Sequence, residues 1–271
     1  MTFTQATILG AIQGLTEFLP VSSSGHLVIF QNLFGMKTPE LIFDISVHLG
    51  TLAAVFVFFS KDILSIIRSL LIFAFRGKKA AEARPKAMDD IRLALMIIAA
   101  SVPTGVLGLI LEKKADVLFA SLILVGFMLI ATGAWMWFTK KAREHGPGLS
   151  LKNVLLIGLA QGIAVIPGIS RSGSTIAAGL YLGLDRESAT RFSFLISIPA
   201  ILGAALLSVL HAPPPGTANT AVIITGAVTA FITGYAALNM LVYMVKRGKL
   251  FLFSPYCCLA GATALVMAWL S

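Results

Sequence analysis

Charge is scarce in this chain. Asp, Glu, Lys and Arg make up only 12% of its 271 residues, where soluble domains carry about 25%. Acids are scarcer still, 12 against 21 Lys and Arg. Cysteine is nearly absent: Cys257 and Cys258 sit side by side in an apolar run. Adjacent residues close a bridge poorly, and no CxxC or Cys/His spacing exists, so a disulfide framework, a thiol site and a zinc site are excluded. No basic stretch precedes the first apolar run, so a cleavable signal peptide is not expected. What remains is apolar. The chain is 57% hydrophobic, its mean hydropathy is +0.91, and several runs approach twenty residues. These features predict an all-α polytopic membrane protein. The net charge of +9 then reads as basic loops on one membrane face. No basic patch lies outside the loops, so nucleic acid is not an expected partner.

Chemistry is concentrated in one stretch, Gln13-Gly14-Leu15-Thr16-Glu17-Phe18-Leu19-Pro20-Val21-Ser22-Ser23-Ser24-Gly25-His26. It returns 148 residues later as Gln161-Gly162-Ile163-Ala164-Val165-Ile166-Pro167-Gly168-Ile169-Ser170-Arg171-Ser172-Gly173-Ser174, with five of fourteen positions identical. The differences carry as much meaning. Glu17 is answered by Val165, Ser23 by Arg171 and His26 by Ser174. One copy offers an acid, a histidine and hydroxyls; the other offers a cation.

The remaining chain fits an inverted repeat. In residues 1–139, two short apolar helices around a polar break (4–34) are followed by spans at 41–60, 93–111 and 117–138. Residues 150–271 repeat the plan, with a broken pair over 151–183 (helix to 166, break 167–173, helix from 174) and spans at 188–210, 219–245 and 250–270. Neither short helix reaches the ~20 residues that a bilayer requires, so each pair is predicted to be a re-entrant hairpin. Irregular backbone at membrane depth needs protein or a wet cavity around it. Three spans per half turn the second half upside down. Followed loop by loop, this collects 17 of the 21 Lys and Arg on one side and leaves Lys37, Lys113 and Lys114 on the other, with Arg171 inside the motif. Treating the hairpins as full spans degrades the split to 12 against 8. The basic loops, 61–92 foremost, are therefore expected in the cytoplasm, and 212–217 and both termini outside. Inverted repeats with broken helices also occur in secondary transporters, whose sites lie near the midplane. A transporter or flippase of an anionic lipid is thus the alternative to an enzyme.

Gln13 and Glu17 share one helix face. An intramembrane carboxylate is a functional candidate by default, or else the counter-charge of Arg171. Ser22, Ser23 and Ser24 precede a helix start, as do Ser170, Ser172, Ser174 and Thr175. They supply donors for an anion or act as ordinary helix caps. His26 lies within a turn of those hydroxyls and is read as an acid or base, against the blander reading of a satisfied core histidine. His48, His145 and His211 have no such company in sequence. Arg171 carries a planar fork suited to phosphate. If the two breaks meet, they form one pocket, near mid-membrane and open outward, with the donors for phosphate chemistry.

At these residues the chain resembles the undecaprenyl-diphosphate phosphatases, the bacitracin-resistance family of integral membrane proteins. The resemblance runs through Gln13 to Glu17 in a (Glu/Gln)xxxGlu motif, Pro20 to His26 in PVSS(S/T)GH, and Pro167 to Thr175 in PGxSRSxxT. It covers essentially the whole chain. It implies removal of the terminal phosphate of undecaprenyl diphosphate in the inner cell membrane, which regenerates the carrier lipid for peptidoglycan and confers bacitracin resistance. By motif position, Glu17, Ser23, His26 and Arg171 would be catalytic. Gln13, Ser22, Ser24, Ser170, Ser172, Ser174 and Thr175 would bind phosphate. Magnesium or calcium would have Glu17 as its protein ligand, because Gln13 stands where other members carry a second carboxylate. Ser23 is expected to attack with His26 as its base, leaving His26 itself or water as alternative nucleophiles.

Overall fold

The computed structural model describes residues 1–36, 41–112, 118, 121–142, 148–211 and 219–270. The expected turns at 112–116 and 212–217 and the linker at 140–148 therefore fall wholly or largely outside the described residues, as does His145. Among those described there are eleven α-helices and no strand. The first two are short: α1 (Phe3–Phe18) and α2 (Ser23–Leu33). Then come α3 (Leu41–Phe58), α4 (Ser60–Glu82), α5 (Ala87–Glu112) and α6 (Leu122–Trp137). Two further short helices follow, α7 (Leu151–Ile163) and α8 (Arg171–Tyr181). The chain closes with α9 (Arg186–His211), α10 (Thr220–Lys246) and α11 (Ser254–Leu270).

Six helices, α3, α5, α6, α9, α10 and α11 (two of them with an adjoining single turn), are long and apolar enough to cross a membrane. The protein is a multi-pass membrane protein. Its surface fits that solvent. Along α5, Leu95, Ile98, Val102, Val106 and Leu109 form one exposed stripe, while Ala94, Ala100 and Thr104 turn inward. Such a stripe would be an aggregation hazard in water; against lipid tails it is the required face.

The basic segment 61–92 is not a plain loop. Residues 60–82 form α4, with Leu64, Ile67 and Leu71 exposed. It is anchored to α5 because Asp90, buried, accepts hydrogen bonds from Ser65 (2.6 Å) and Ser69 (2.8 Å). A second correction concerns the breaks. Ser23, Ser24, Arg171, Ser172 and Gly173 lie in the first turns of α2 and α8, not in the breaks before them. Ser22 and Ser170 act as N-caps, accepting from the Gly25 and Gly173 amides, and so start each helix three residues early.

Packing is mirrored between the halves. α1 lies along α10 and α7 along α5; α3 packs on α10 and α5 on α9; α6 pairs with α11. Small residues make the closest crossings, as expected where helices meet without a hydrophobic drive. A methyl on Gly14 would strike the Thr233 hydroxyl and the Ala230 carbonyl, and one on Gly158 would strike the Ala100 carbonyl. Gly105 and Gly108, on the open side of α5, have nothing within 4 Å. Gly14→Ala and Gly158→Ala are therefore expected to lose about 1–3 kcal/mol through overpacking, whereas Gly105→Ala is neutral or slightly stabilising because alanine favours helix. Thermal midpoints in detergent check this; equal midpoints for Gly14→Ala and Gly105→Ala would refute the close-crossing account.

Several contacts link helix ends that are distant in sequence. Arg191 at the start of α9 pairs with Asp62 of α4 at 2.6 Å. Lys246 at the end of α10 approaches Glu187 at 3.3 Å. Arg92 of α5 donates to the carbonyl of Leu149, just before α7, at 3.2 Å. Lys140, after α6, lies over Phe251, just before α11. One turn along α9 from Arg191, Phe194 packs edge-on to Phe18 at 5.6 Å and stacks on Phe59 at 5.7 Å, so α9 supports the end of α1.

Candidate active site

The two breaks meet. Gly25, in the first turn of α2, lies against Gly168, and Gly173, in the first turn of α8, lies against Pro20; a methyl on either would sit 3.3 Å and 3.1 Å from that neighbour, respectively, a tight contact. This contact draws Glu17, Ser23 and Arg171 together across 154 residues of sequence. Arg171 Nη2 donates to Glu17 Oε1 at 2.5 Å. Ser23 Oγ donates to Glu17 Oε2 at 2.6 Å, and the Gln13 amide donates to the same oxygen at 3.0 Å. Glu17 is thus the hub, with its side chain only 7% exposed, while that of Arg171 is 15% exposed. The second guanidinium arm, Nη1, is buried and has no partner among the described residues; neither has Gln13 Oε1.

His26 points elsewhere. Its Nδ1 donates to the Ser22 carbonyl at 2.8 Å, and its Nε2 lies 2.7 Å from the Tyr256 hydroxyl. The proton of Ser23 is therefore held by Glu17, not by His26. The three-residue spacing brings both onto one helical turn, but the backbone bond to Ser22 folds the imidazole back and away. Ser22 itself sits at φ +67°, a left-handed conformation uncommon for a residue with a side chain. Such strain survives only where its surroundings enforce it.

The other hydroxyls divide. Ser22 and Ser170 cap their helices, and their Oγ atoms lie 3.3 Å from those of Ser24 and Ser172 respectively. Thr175 donates to the Arg171 carbonyl (2.8 Å) and pairs with Ser193 at 2.5 Å, so it is committed to the core behind the site. Ser24 and Ser174 remain half-buried at the helix starts. The second break is braced from α6, where Thr132 accepts from the Ser170 amide at 3.1 Å and donates to the Gly168 carbonyl at 3.1 Å.

Sequence reasoning passed over two side chains. His48, on α3, brings Nε2 to 3.9 Å from Glu17 Oε2, and its Nδ1 donates to the Asp44 carbonyl at 2.7 Å. A histidine inside an apolar span was the available signal. Tyr256 lies 230 residues from His26, and nothing local marks it.

A divalent cation held by protein groups does not fit this donor set. Among the described residues no three His, Cys, Asp or Glu side chains come together. Glu17 already spends both oxygens on Arg171, Ser23 and Gln13, and Gln13 turns its NH2 rather than its oxygen toward the centre. Magnesium and calcium need several free oxygen ligands.

Comparison with known proteins agrees over the whole chain. The family model for the bacitracin resistance protein BacA matches residues 6–263. A protein of Desulforapulum autotrophicum named undecaprenyl-diphosphatase is 47% identical over 276 residues, spanning 100% of both chains. One of the same name from Desulfatibacillum aliphaticivorans is 48% identical over 272 residues, spanning 98% of this chain and 99% of its own. A third, from Desulfosudis oleivorans, is 48% identical over 267 residues, spanning 96% and 97%.

Proposed function

The chain belongs to the bacitracin resistance protein BacA family, and from that premise we propose how its pocket works. The protein is a membrane hydrolase that converts undecaprenyl diphosphate to undecaprenyl phosphate and inorganic phosphate. This returns the carrier lipid to cell-wall synthesis and underlies bacitracin resistance. The observation that carries the site assignment is Nη1 of Arg171, buried and without a partner among the described residues, on the same guanidinium whose Nη2 bonds the carboxylate that accepts from Ser23. A buried cationic donor without a partner is costly. A phosphate oxygen supplies what it lacks, so that the two arms of the fork bridge the Glu17 carboxylate and the phosphate.

In this reading Arg171 clamps the terminal phosphate with Nη1 while Nη2 keeps Glu17 in register. The amides at the starts of α2 and α8 face the same anion and stabilise the charge that develops in the transition state. Glu17 accepts the Ser23 proton as Oγ bonds to the terminal phosphorus. The bond from that phosphorus to the bridging oxygen breaks, and undecaprenyl phosphate leaves. Water then cleaves the phosphoserine, with His26 as the acid–base group. Gln13 orients Glu17. Purified protein in detergent is expected to release inorganic phosphate from undecaprenyl diphosphate but not from undecaprenyl phosphate. Binding of the diphosphate without release would mark a lipid carrier instead.

We also infer an inverted repeat with two re-entrant hairpins. The mirrored pairings of α1 with α10 and α7 with α5 support it, as do the equal 148-residue offsets of both ends of α2 and α8. The cross-contacts of Arg191, Lys246, Arg92 and Lys140 gather the basic segments at one end of the bundle, which the positive-inside rule assigns to the cytoplasm. Both termini then face outward, and the pocket opens outward from mid-membrane. With Cys257 and Cys258 replaced by alanine, Pro215→Cys is expected to react with an impermeant maleimide on intact cells and Ala80→Cys only after lysis. The reverse pattern would invert the orientation.

A further inference from the structure

We propose that Tyr256 is a positioning residue for His26, holding in place Nε2, the imidazole nitrogen that moves a proton; this rests on the catalytic reading of His26 given above. His26 is buried, and its Nδ1 is committed to the Ser22 carbonyl at 2.8 Å. With Nδ1 carrying the proton, Nε2 of the neutral ring is an acceptor. The Tyr256 hydroxyl donates to it at 2.7 Å, with the two ring planes within 6° of each other. Among the described residues no other side chain bonds the imidazole. The ring is held at both nitrogens in a single tautomer, the arrangement that lets a histidine act without first paying for reorientation.

The tyrosine is itself held in place. It lies in the first turn of α11, two residues after that helix begins at Ser254. The next residue, Cys257, is buried and donates through Sγ to the carbonyl of Pro20 at 3.4 Å, so the start of α11 is bonded to the first break. On the other side, the Ser254 carbonyl and Cys257 press against Gly133 of α6, where a methyl would not fit. These two contacts keep the Tyr256 hydroxyl at Nε2, although the side chain is 47% exposed and so free to yield when substrate enters. An exposed tyrosine with no task would turn its hydroxyl outward to polar surroundings; this one turns it inward onto a buried base. In the ground state Tyr256 occupies the one lone pair through which His26 can take a proton. In the reaction the hydroxyl bonds Nε2 again once its proton has left, so the ring starts each turnover in the same position.

The test uses the full-length protein in detergent, with undecaprenyl diphosphate as substrate. Tyr256→Phe keeps the ring and its packing and removes only the hydroxyl. It is expected to lower kcat by ~10-fold, part of the ~100-fold or more that acid–base catalysis contributes, with KM within about twofold and an unchanged thermal midpoint. In protein labelled with 15N-histidine, the His26 Nε2 signal, identified by its loss in His26→Gln, should shift as its hydrogen bond is lost, while Nδ1 stays protonated on the Ser22 carbonyl. Tyr256→Phe added to His26→Gln should cost nothing further. Wild-type kcat and an unmoved Nε2 signal in Tyr256→Phe, with His26→Gln inactive, would overturn the proposal and leave the catalytic reading of His26 standing. Loss of activity in step with a lowered thermal midpoint would also overturn it, in favour of a packing role. Full activity of His26→Gln would remove the catalytic reading itself, and the proposal with it.

Discussion

Arg171→Lys is expected to lose about 2–4 kcal/mol of transition-state stabilisation, the scale seen when a charge-stabilising donor is removed; that is roughly a thirty- to thousandfold fall in kcat/KM. The charge survives the substitution, so a role limited to neutralising Glu17 predicts little change. What lysine loses is the fork. Arg171 spends Nη2 on Glu17 and keeps Nη1 unpartnered beside it, so one side chain can hold the carboxylate and a phosphate oxygen together. An ammonium is a compact point charge on a flexible stem. It must choose between the two anions or sit between them in neither geometry. Because the contact with substrate tightens as charge develops, the loss should fall mainly on kcat rather than on KM. Phosphate release measured across substrate concentrations separates the two. Turnover near that of the wild type would make Arg171 a local counter-ion and no more. Arg171→Ala should be worse still, since it strands the buried Glu17 carboxylate without its ion pair.

Much of this arrangement is legible in the sequence, for reasons that differ by element. The six long helices follow from run length alone, since the bilayer sets a minimum span. The meeting of Ser23 and Arg171 at one carboxylate follows from the repeat, because an echo at a fixed offset places corresponding tips in corresponding positions. Sequence places these helix starts three residues late because apolar character marks a helix body, whereas a cap is set by one hydroxyl, here Ser22 and Ser170. α4 was hidden by its own cations; its buried contacts rest on Ile66, Ser69 and Ala81, two of them small, so the basic residues dominate any window average. His48 and Tyr256 were out of reach for a different reason. Each meets its partner across a helix–helix interface, and the helix that carries it is seated on a third helix by a close glycine crossing, Gly50 of α3 on Ala227 of α10 and Gly133 of α6 on Ser254 of α11. No spacing within α1, α2 or α11 encodes that seating. The reassignment of the Ser23 proton has the same origin, since a backbone bond to the strained Ser22 turns His26 away.

That reassignment changes what mutational coupling should look like. The carboxylate of Glu17 touches the Ser23 hydroxyl at 2.6 Å, whereas His26 has its two nitrogens bonded to Ser22 and Tyr256. If Ser23 attacks phosphorus with Glu17 as its acceptor, the two act as one unit. Ser23→Ala alone should then lower kcat/KM by ~100-fold or more, and Ser23→Ala/Glu17→Gln should be scarcely worse than the poorer single variant, because members of such a unit are strongly non-additive. Glu17→Gln is preferred to alanine since it keeps the shape and an acceptor for Arg171 in a buried site. Its thermal midpoint must be measured beside its activity, because it leaves the guanidinium without a matching charge. His26 enters at the second step, so His26→Gln should let phosphoserine accumulate at position 23 in a single turnover, visible by acid quench and mass analysis. Direct attack by water predicts the opposite on both counts. Ser23 would then be one phosphate donor among several, its loss would add to that of Glu17 in log(kcat/KM), and no phosphoenzyme would form in any variant. Additivity together with an empty trap would therefore defeat the serine route and leave Glu17 as the base that draws a proton from water.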